Sequence, residues 1–282
     1  MSVRVLIVSL ILGAAAPAWA ERYVASLGSA EWQLERSPLR CRLRQPVPRY
    51  GEAVFETRAG GRQSFTVRAR NNPMVEGPST LIAAAPQWNP NREAVAFGAI
   101  DIAAGAEPLR LEGAEPQRLL DSLESGLAPQ FSRPLRSDRE QQAHLELSPL
   151  NFRPVYREYQ NCVQRLLPVS FEQIATTTVA FPSEGTELTA SARQQIDTML
   201  RYVRVDRTVT GFALSAVSSD TPRRLENLAL AKARAQQVQD YLLSRGAGID
   251  LISSDSRGER PGERRSSANQ RTVTIRLSRA KS

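Results

Sequence analysis

Short alternating runs dominate the first half of the chain, and helical periodicity takes over in the second. Residues 53–58 (AVFETR) and 64–68 (SFTVR) alternate imperfectly on either side of Gly60-Gly61, which predicts a β-hairpin with one half-buried face. Pro46, Pro48, Pro73, Pro78, Pro86 and Pro90 punctuate the surrounding sequence and argue against long helices there. One helix is predicted over about residues 115–126, where Leu119, Leu120 and Leu123 recur at helical spacing. Segment 21–167 therefore reads as a mostly β domain.

The pattern changes after Pro168. Residues 174–181 (IATTTVAF) are β-branched and strand-like. Leu188, Ala192, Ile196, Met199, Leu200 and Val203 then fall on one helical face. Residues 208–217 (TVTGFALSAV) predict a second strand, and a second helix is expected from about 222 to 245, stopped by Gly246. Two more strands, 249–256 and 271–277, close the order βαβαββ. Segment 168–282 is expected to be an α/β sandwich of helices on a mixed sheet. The fold class is then α+β, a mostly β domain followed by this sandwich.

Charge raises the question of a partner. The 282 residues carry 37 Lys+Arg against 29 Asp+Glu, a net charge of +8, and only Lys232 and Lys281 among the cations are not arginine. Nucleic acid is the ordinary partner for such a balance. The N-terminus points elsewhere. Residues 1–20 (MSVRVLIVSLILGAAAPAWA) join Arg4, an apolar run from Val5 to about Ala16, and a small-x-small ending at Ala18-Trp19-Ala20. That is the layout of a secretory signal peptide, and its apolar run is short for a membrane span, although a retained anchor is the alternative. No other stretch approaches 18 uninterrupted apolar residues. The expectation is an exported, periplasmic chain that starts at Glu21, lies peripheral to membranes without spanning them, and has no nucleic-acid partner. The positive excess sits in residues 169–282, with 17 Lys+Arg against 12 Asp+Glu.

Cys41 and Cys162 lie 121 positions apart, with no CxxC and no Cys/His cluster near either. No metal site is expected from them, and no cofactor motif is present. In an oxidising compartment a long-range disulfide is the simpler reading, two buried thiols the other. His144 is the single histidine, and between Ala143 and Leu145 it reads as a surface or packing residue. No nucleophile elbow, HExxH or phosphate loop appears. The chain therefore reads as non-enzymatic, although its many carboxylates leave a wall-cleaving glycosidase as a rival.

The chemistry concentrates on the helix expected at 222–245. Ala231, Ala235, Val238 and Leu242 form its core stripe, and Asn227 and Arg234 fall on the border of that stripe, two turns apart. An arginine beside an apolar face needs a partner, because an unpaired buried charge is too costly. Its planar fork suits a carboxylate in bidentate geometry. That carboxylate can belong to a ligand or to an Asp of the chain itself.

These residues carry a resemblance. Asn227-x-x-Leu230-Ala231-x-x-Arg234-Ala235-x-x-Val238-x-x-x-Leu242 resembles the NxxLSxxRAxxVxxxL signature of OmpA-like peptidoglycan-binding domains, with Ala231 in the usual serine position. Gly258-Glu259-Arg260-Pro261 resembles the family's GxxxP segment, and Asn269-Gln270-Arg271 its NRR before the last strand. The ligand implied is the diaminopimelate of the peptide stem, whose carboxylate and ammonium share one carbon and call for a cation beside an anion. By this resemblance Arg234 takes the carboxylate, and Asn227 and Arg271 belong to the site. The family's aspartate aligns with Ser219, and Asp220 follows immediately.

The first half carries a second resemblance. Trp32 in AEWQLE, Cys41-Arg42-Leu43, Pro46-x-Pro48, Gly51-Glu52-Ala53-x-Phe55-x-x-Arg58-Ala59, Ala85-Pro86-Gln87-Trp88-x-Pro90 and Phe152…Tyr159-x-x-Cys162 resemble the N-terminal domain of the MotY family of flagellar motor proteins. Both cysteines fall where that family has its pair. The resemblance implies a periplasmic ring component that contacts the flagellar basal body and a MotX-like protein, grips peptidoglycan and holds the stator complex. A generic cell-envelope tether is the other non-enzymatic reading.

Overall fold

The computed structural model describes residues 20–26, 28, 30–86, 90–182, 185–218, 224–258 and 271–280, so all of the expected signal peptide but Ala20 lies outside the described residues. In chain order the first half forms β1 (Glu21–Tyr23), β2 (Gln33–Ser37), β3 (Arg40–Val47), β4 (Gly51–Arg58), β5 (Gln63–Ala69), β6 (Gly77–Ala84), β7 (Val95–Ile102), β8 (Leu109–Leu111), α1 (Glu115–Ser125), β9 (Ala128–Pro134), β10 (Gln142–Glu146) and α2 (Phe152–Gln164). Its strands make two five-stranded sheets, ordered β1-β10-β9-β6-β7 and β2-β3-β4-β5-β8. The second half forms α3 (Phe171–Ile174), β11 (Thr176–Ala180), α4 (Ala190–Val205), β12 (Val209–Ser218), α5 (Arg224–Ser244), β13 (Ile252–Gly258) and β14 (Thr272–Arg279).

The chain divides into two compact units. One holds the described residues up to Gln33 with Leu43–Phe55 and Ser64–Arg157; the other holds Leu34–Arg42, Glu56–Gln63 and the chain from Glu158 onward. In the first unit an aromatic cluster supplies much of the core: Trp32 meets Phe152 edge-on at 4.9 Å, Phe55 lies 4.6 Å from Phe65, and Phe152 stacks on Tyr156 at 5.0 Å. Such contacts add to the area term of large buried rings. Polar groups inside this core are matched. Gln45 donates to the Ser148 carbonyl at 2.9 Å and accepts from the Ser148 N–H at 2.8 Å, and Trp32 Nε1 donates to the same carbonyl at 2.9 Å. Each would otherwise be a buried polar group without water.

The expected hairpin is β4–β5, but it is not half-buried. Ala53, Val54 and Phe55 are consecutively buried, as are Phe65, Thr66 and Val67, so both faces of these strands are covered. That explains the imperfect alternation in the sequence. The helix at 115–126 is α1, ended by Gly126 in the left-handed region, where glycine carries no Cβ penalty. Helix α2 was not expected. Phe152, Tyr156, Tyr159 and Val163 hold a helical spacing that scattered prolines obscured, and the first three are buried.

The second unit has the βαβαββ order, with strands in the order β11-β14-β12-β13. β12 and β13 run parallel, while β14 is antiparallel to both β11 and β12. A parallel pair requires a crossover, and α5 supplies it. Thr189 caps α4 by accepting from the Ala192 N–H at 3.1 Å, and Gly246 ends α5 at φ 90°. Ile196, Met199, Val238, Leu242, Val273 and Ile275 are fully buried between helices and sheet. Each such side chain contributes about 1.5–3 kcal/mol on burial. The strand expected from 249 begins with one 3-10 turn, Ile249–Leu251, before β13.

This unit also takes in the turns of the two N-terminal hairpins. Gly60 N–H donates to the Leu167 carbonyl at 3.2 Å, and Leu167 N–H donates to the Pro38 carbonyl at 3.0 Å. At φ 63° a Cβ on Gly60 would lie 2.3 Å from the Ser170 nitrogen, so only glycine fits. Leu39, Leu167 and Phe171 pack against the helix-sheet core. The Cys41–Cys162 disulfide is formed, joining β3 to α2 with a Cα–Cα distance of 6.0 Å.

Asp206, at the end of α4, is buried and bonds Thr208 and Arg279. Burial raises the cost of its charge, but these bonds outweigh it and hold the carboxyl below its usual range. A carboxyl lowered on folding contributes stability above its unfolded-state value and loses it as pH falls through the folded value. Urea unfolding of Asp206→Asn should show a loss on the order of 1 kcal/mol at neutral pH. The two proteins should converge as the pH falls below the lowered folded-state value of the Asp206 carboxyl.

Candidate functional site

Arg234 occupies the core-facing border of α5 and is only 3% exposed. The stripe of Ala231, Ala235, Val238 and Leu242 turns this face of the helix toward the sheet, which carries the arginine inward with it. Its Nε donates to the Gly185 carbonyl at 3.0 Å and its Nη2 to the Pro182 carbonyl at 2.8 Å. The guanidinium also lies over the Phe181 ring, 5.5 Å from its centre. The loop that leaves β11 therefore grips one edge of the guanidinium through neutral groups, and an aromatic face supports its plane. Burial pushes the Arg234 pKa down, and the Arg271 charge pushes in the same direction. An arginine remains charged at neutral pH despite such a shift.

Arg271 is exposed at the start of β14, and its carbonyl accepts from the Phe181 N–H at 2.8 Å. The sheet thus brings Arg271 beside Phe181 and within electrostatic reach of Arg234. Asn227 is half-buried, seven residues before Arg234 on α5, about 10 Å along the helix axis. Ser219 and Asp220, the two candidates for the acidic position, lie outside the described residues, as do Glu259, Arg260, Pro261, Asn269 and Gln270. Two arginine charges close enough to influence each other favour an anion. A carboxylate held by a buried arginine gains more than one held at the surface, because water screens it less.

Phe181, Pro182 and Gly185 were not among the residues expected at the site. Their signal was present as the FPSEG run directly after a β-branched strand, but main-chain carbonyls leave no side-chain trace in a motif. His144 lies on β10, half-buried, with Nδ1 2.5 Å from the Ser132 hydroxyl. Burial pushes its pKa down and the Arg22 charge adds to that, while Glu146 opposes both. The described residues contain no group of three or more His, Cys, Asp or Glu able to hold a metal ion. No helix among them is long and apolar enough to cross a membrane.

Residues 23–168 match the MotY N-terminal domain family, and residues 180–276 match the OmpA family. A curated relative, the Sodium-type flagellar protein MotY of Vibrio parahaemolyticus serotype O3:K6, is 28% identical over 244 residues, covering 85% of this chain and 83% of the relative. Among solved structures, the OmpA-like domain of FopA1 from Francisella tularensis is similar over 38% of this chain and 75% of its own, at 19% identity and a TM-score of 0.32. The peptidoglycan-associated lipoprotein from Burkholderia pseudomallei is similar over 36% of this chain and 89% of its own, at 16% identity and a TM-score of 0.32. The periplasmic domain of Helicobacter pylori MotB (residues 78-256) is similar over 38% of this chain and 76% of its own, at 16% identity and a TM-score of 0.31.

Proposed function

Because the chain belongs to the MotY N-terminal domain family through residues 23–168, we propose that it is a non-enzymatic periplasmic component of the flagellar motor ring. In this reading residues 1–20 are the export signal. Residues 21–167 associate with the basal body and a MotX-like protein. Residues 168–282 bind peptidoglycan and so hold stator units against torque.

The observation that carries the wall-binding part is the environment of Arg234. A buried guanidinium fixed by two carbonyls and a ring is preorganised, so a ligand carboxylate meets a cation that need not be ordered on binding. Diaminopimelate supplies such a carboxylate. Its ammonium requires an anion nearby, for which Asp220 is the proposed group, with Ser219, Asn227 and Arg271 completing the surroundings. The net positive C-terminal half adds a general, salt-sensitive attraction to the anionic mesh.

The motor part is tested in the source bacterium. A strain lacking this chain should assemble flagella yet swim poorly, with fluorescent stator subunits dispersed from the flagellar base; complementation should restore both. Normal swimming with stators in place would reduce the chain to a generic envelope tether.

A further inference from the structure

The two five-stranded sheets end in four edge strands that differ in how they are closed. β1 and β8 are three residues long, and β2 carries Glu35 and Arg36, so length or charge discourages further pairing at each. β7 is the remaining edge, last in the order β1-β10-β9-β6-β7, and its eight residues are apolar or glycine except Asp101. Among the described residues, no strand pairs with β7 on the side away from β6. A bulge interrupts its pairing with β6 at Phe97, where the Arg118 guanidinium lies 4.7 Å from the ring centre and reaches the Ala96 carbonyl at 3.5 Å. From Gly98 to Ile102 the register with β6 is unbroken. That regular stretch leaves one row of backbone groups without a strand partner.

A groove of about 340 Å³ opens along this edge, and six of its nine lining residues are apolar: Leu81, Phe97, Ala99, Ile100, Leu109 and Leu111. It lies between the free edges of the two sheets. The turn after β7, closed by the Ala103 N–H on the Pro108 carbonyl at 2.8 Å, carries the chain over to β8. Of the charged lining residues, Arg110 pairs with Glu112 and Glu115 with Arg118, each at 3.0 Å. Asp101 is exposed, faces Pro78 across the ladder, and has no cation within ion-pair distance among the described residues.

Each of these features selects the occupant. A row of free N–H and C=O groups is satisfied by another extended backbone, which a helix cannot offer. Alternate side chains of an added strand would enter the groove, whose lining favours apolar ones. Asp101 calls for a lysine or arginine opposite it. A second copy pairing through its own β7 brings no cation, since that strand contains none. We infer that β7 accepts an extended segment of a protein partner as a sixth strand, paired along Gly98–Ile102, with apolar side chains in the groove and a cation opposite Asp101. The inference rests on the reading of residues 21–167 as the half that meets other proteins, and it names the surface and the chemistry of the contact.

The probe is a fluorescein-labelled peptide of ten residues alternating valine and threonine, with lysine at each end and in place of one central threonine. With the mature chain it should bind saturably by anisotropy and slow hydrogen exchange at residues 98–102. N-methylation of its four central amides removes donors on both edges and should weaken binding at least about tenfold. Asp101 is exposed, so Asp101→Lys should keep its far-UV spectrum. That variant should bind the lysine peptide about fivefold more weakly and regain affinity for a version with glutamate at the central position. No binding, equal binding of the methylated peptide, unchanged exchange at 98–102, or affinity indifferent to the charge at 101 would overturn the inference. So would a dimer of the chain alone, seen in sedimentation velocity, that the peptide dissociates, since β7 would then serve a second copy. Peptide binding of the expected kind by a chain that proves dispensable for swimming would support this site while removing the motor reading.

Discussion

Arg234→Ala should abolish retention on insoluble peptidoglycan and also lower the stability of the chain by about 3 kcal/mol. The second effect follows from the position of the side chain. Its guanidinium holds the Pro182 and Gly185 carbonyls, and hydrogen bonds to a charged group contribute about 1.5–3 kcal/mol each. Truncation removes both of these bonds and opens a gap over the buried Phe181 ring. Loss of binding by this variant alone would therefore mix site chemistry with a loosened loop. Arg234→Lys separates the two. A lysine keeps the charge and can reach one carbonyl, but it lacks the planar fork that pairs a carboxylate through two bonds. Thermal unfolding should place Arg234→Lys between the other two proteins, while its retention on peptidoglycan falls at least tenfold. Wild-type stability in Arg234→Ala would contradict the structural role, and wild-type retention in Arg234→Lys would contradict the binding role.

Loss of the Cys41–Cys162 bridge should cost about 4 kcal/mol. The cysteines are 121 positions apart, and loop-closure entropy of that length accounts for about 4–5 kcal/mol in the unfolded chain. For a chain of this size the change corresponds to a fall of roughly 10 °C in melting temperature. Cys41→Ala/Cys162→Ala, and the unsubstituted chain under strong reductant, should both show it by calorimetry. The bridge holds β3 to α2 where the hairpin turns meet the chain leading into α3, so proteolytic nicking should begin near Gly60 and Leu167 once it is gone. A melting temperature within 2 °C of the oxidised chain would contradict this.

The C-terminal sandwich was legible because its elements are long and strictly periodic. Ala231, Ala235, Val238 and Leu242 mark the buried face of α5 without help from any other segment. Residues 53–58 alternate poorly because strands covered on both faces have no polar side to display. Helix α2 was hidden for another reason. Its apolar residues are spread among Arg153, Pro154, Arg157 and Glu158, and the long-range contact of Phe152 with Trp32 makes the face evident. At the candidate site helical spacing named Asn227 and Arg234, and the family resemblance added Arg271. The groups that hold the arginine are peptide carbonyls, whose placement depends on where a loop turns rather than on which side chains it carries. The pairing of Asp197 on α4 with Arg245 just beyond α5 likewise depends on how the two helices pack, which neither segment shows alone.

The account rests most heavily on a carboxylate meeting Arg234. Sedimentation of the unsubstituted mature chain with two preparations of insoluble peptidoglycan isolates that contact without altering the protein. One preparation carries free diaminopimelate carboxylates and the other carries the same groups as amides. Amidation removes the anion and leaves the glycan, the peptide and the ammonium in place. The chain should co-sediment with the first and lose at least tenfold in apparent affinity for the second. Equal sedimentation with both, or none with either, would contradict the assignment of Arg234 as the carboxylate-binding group.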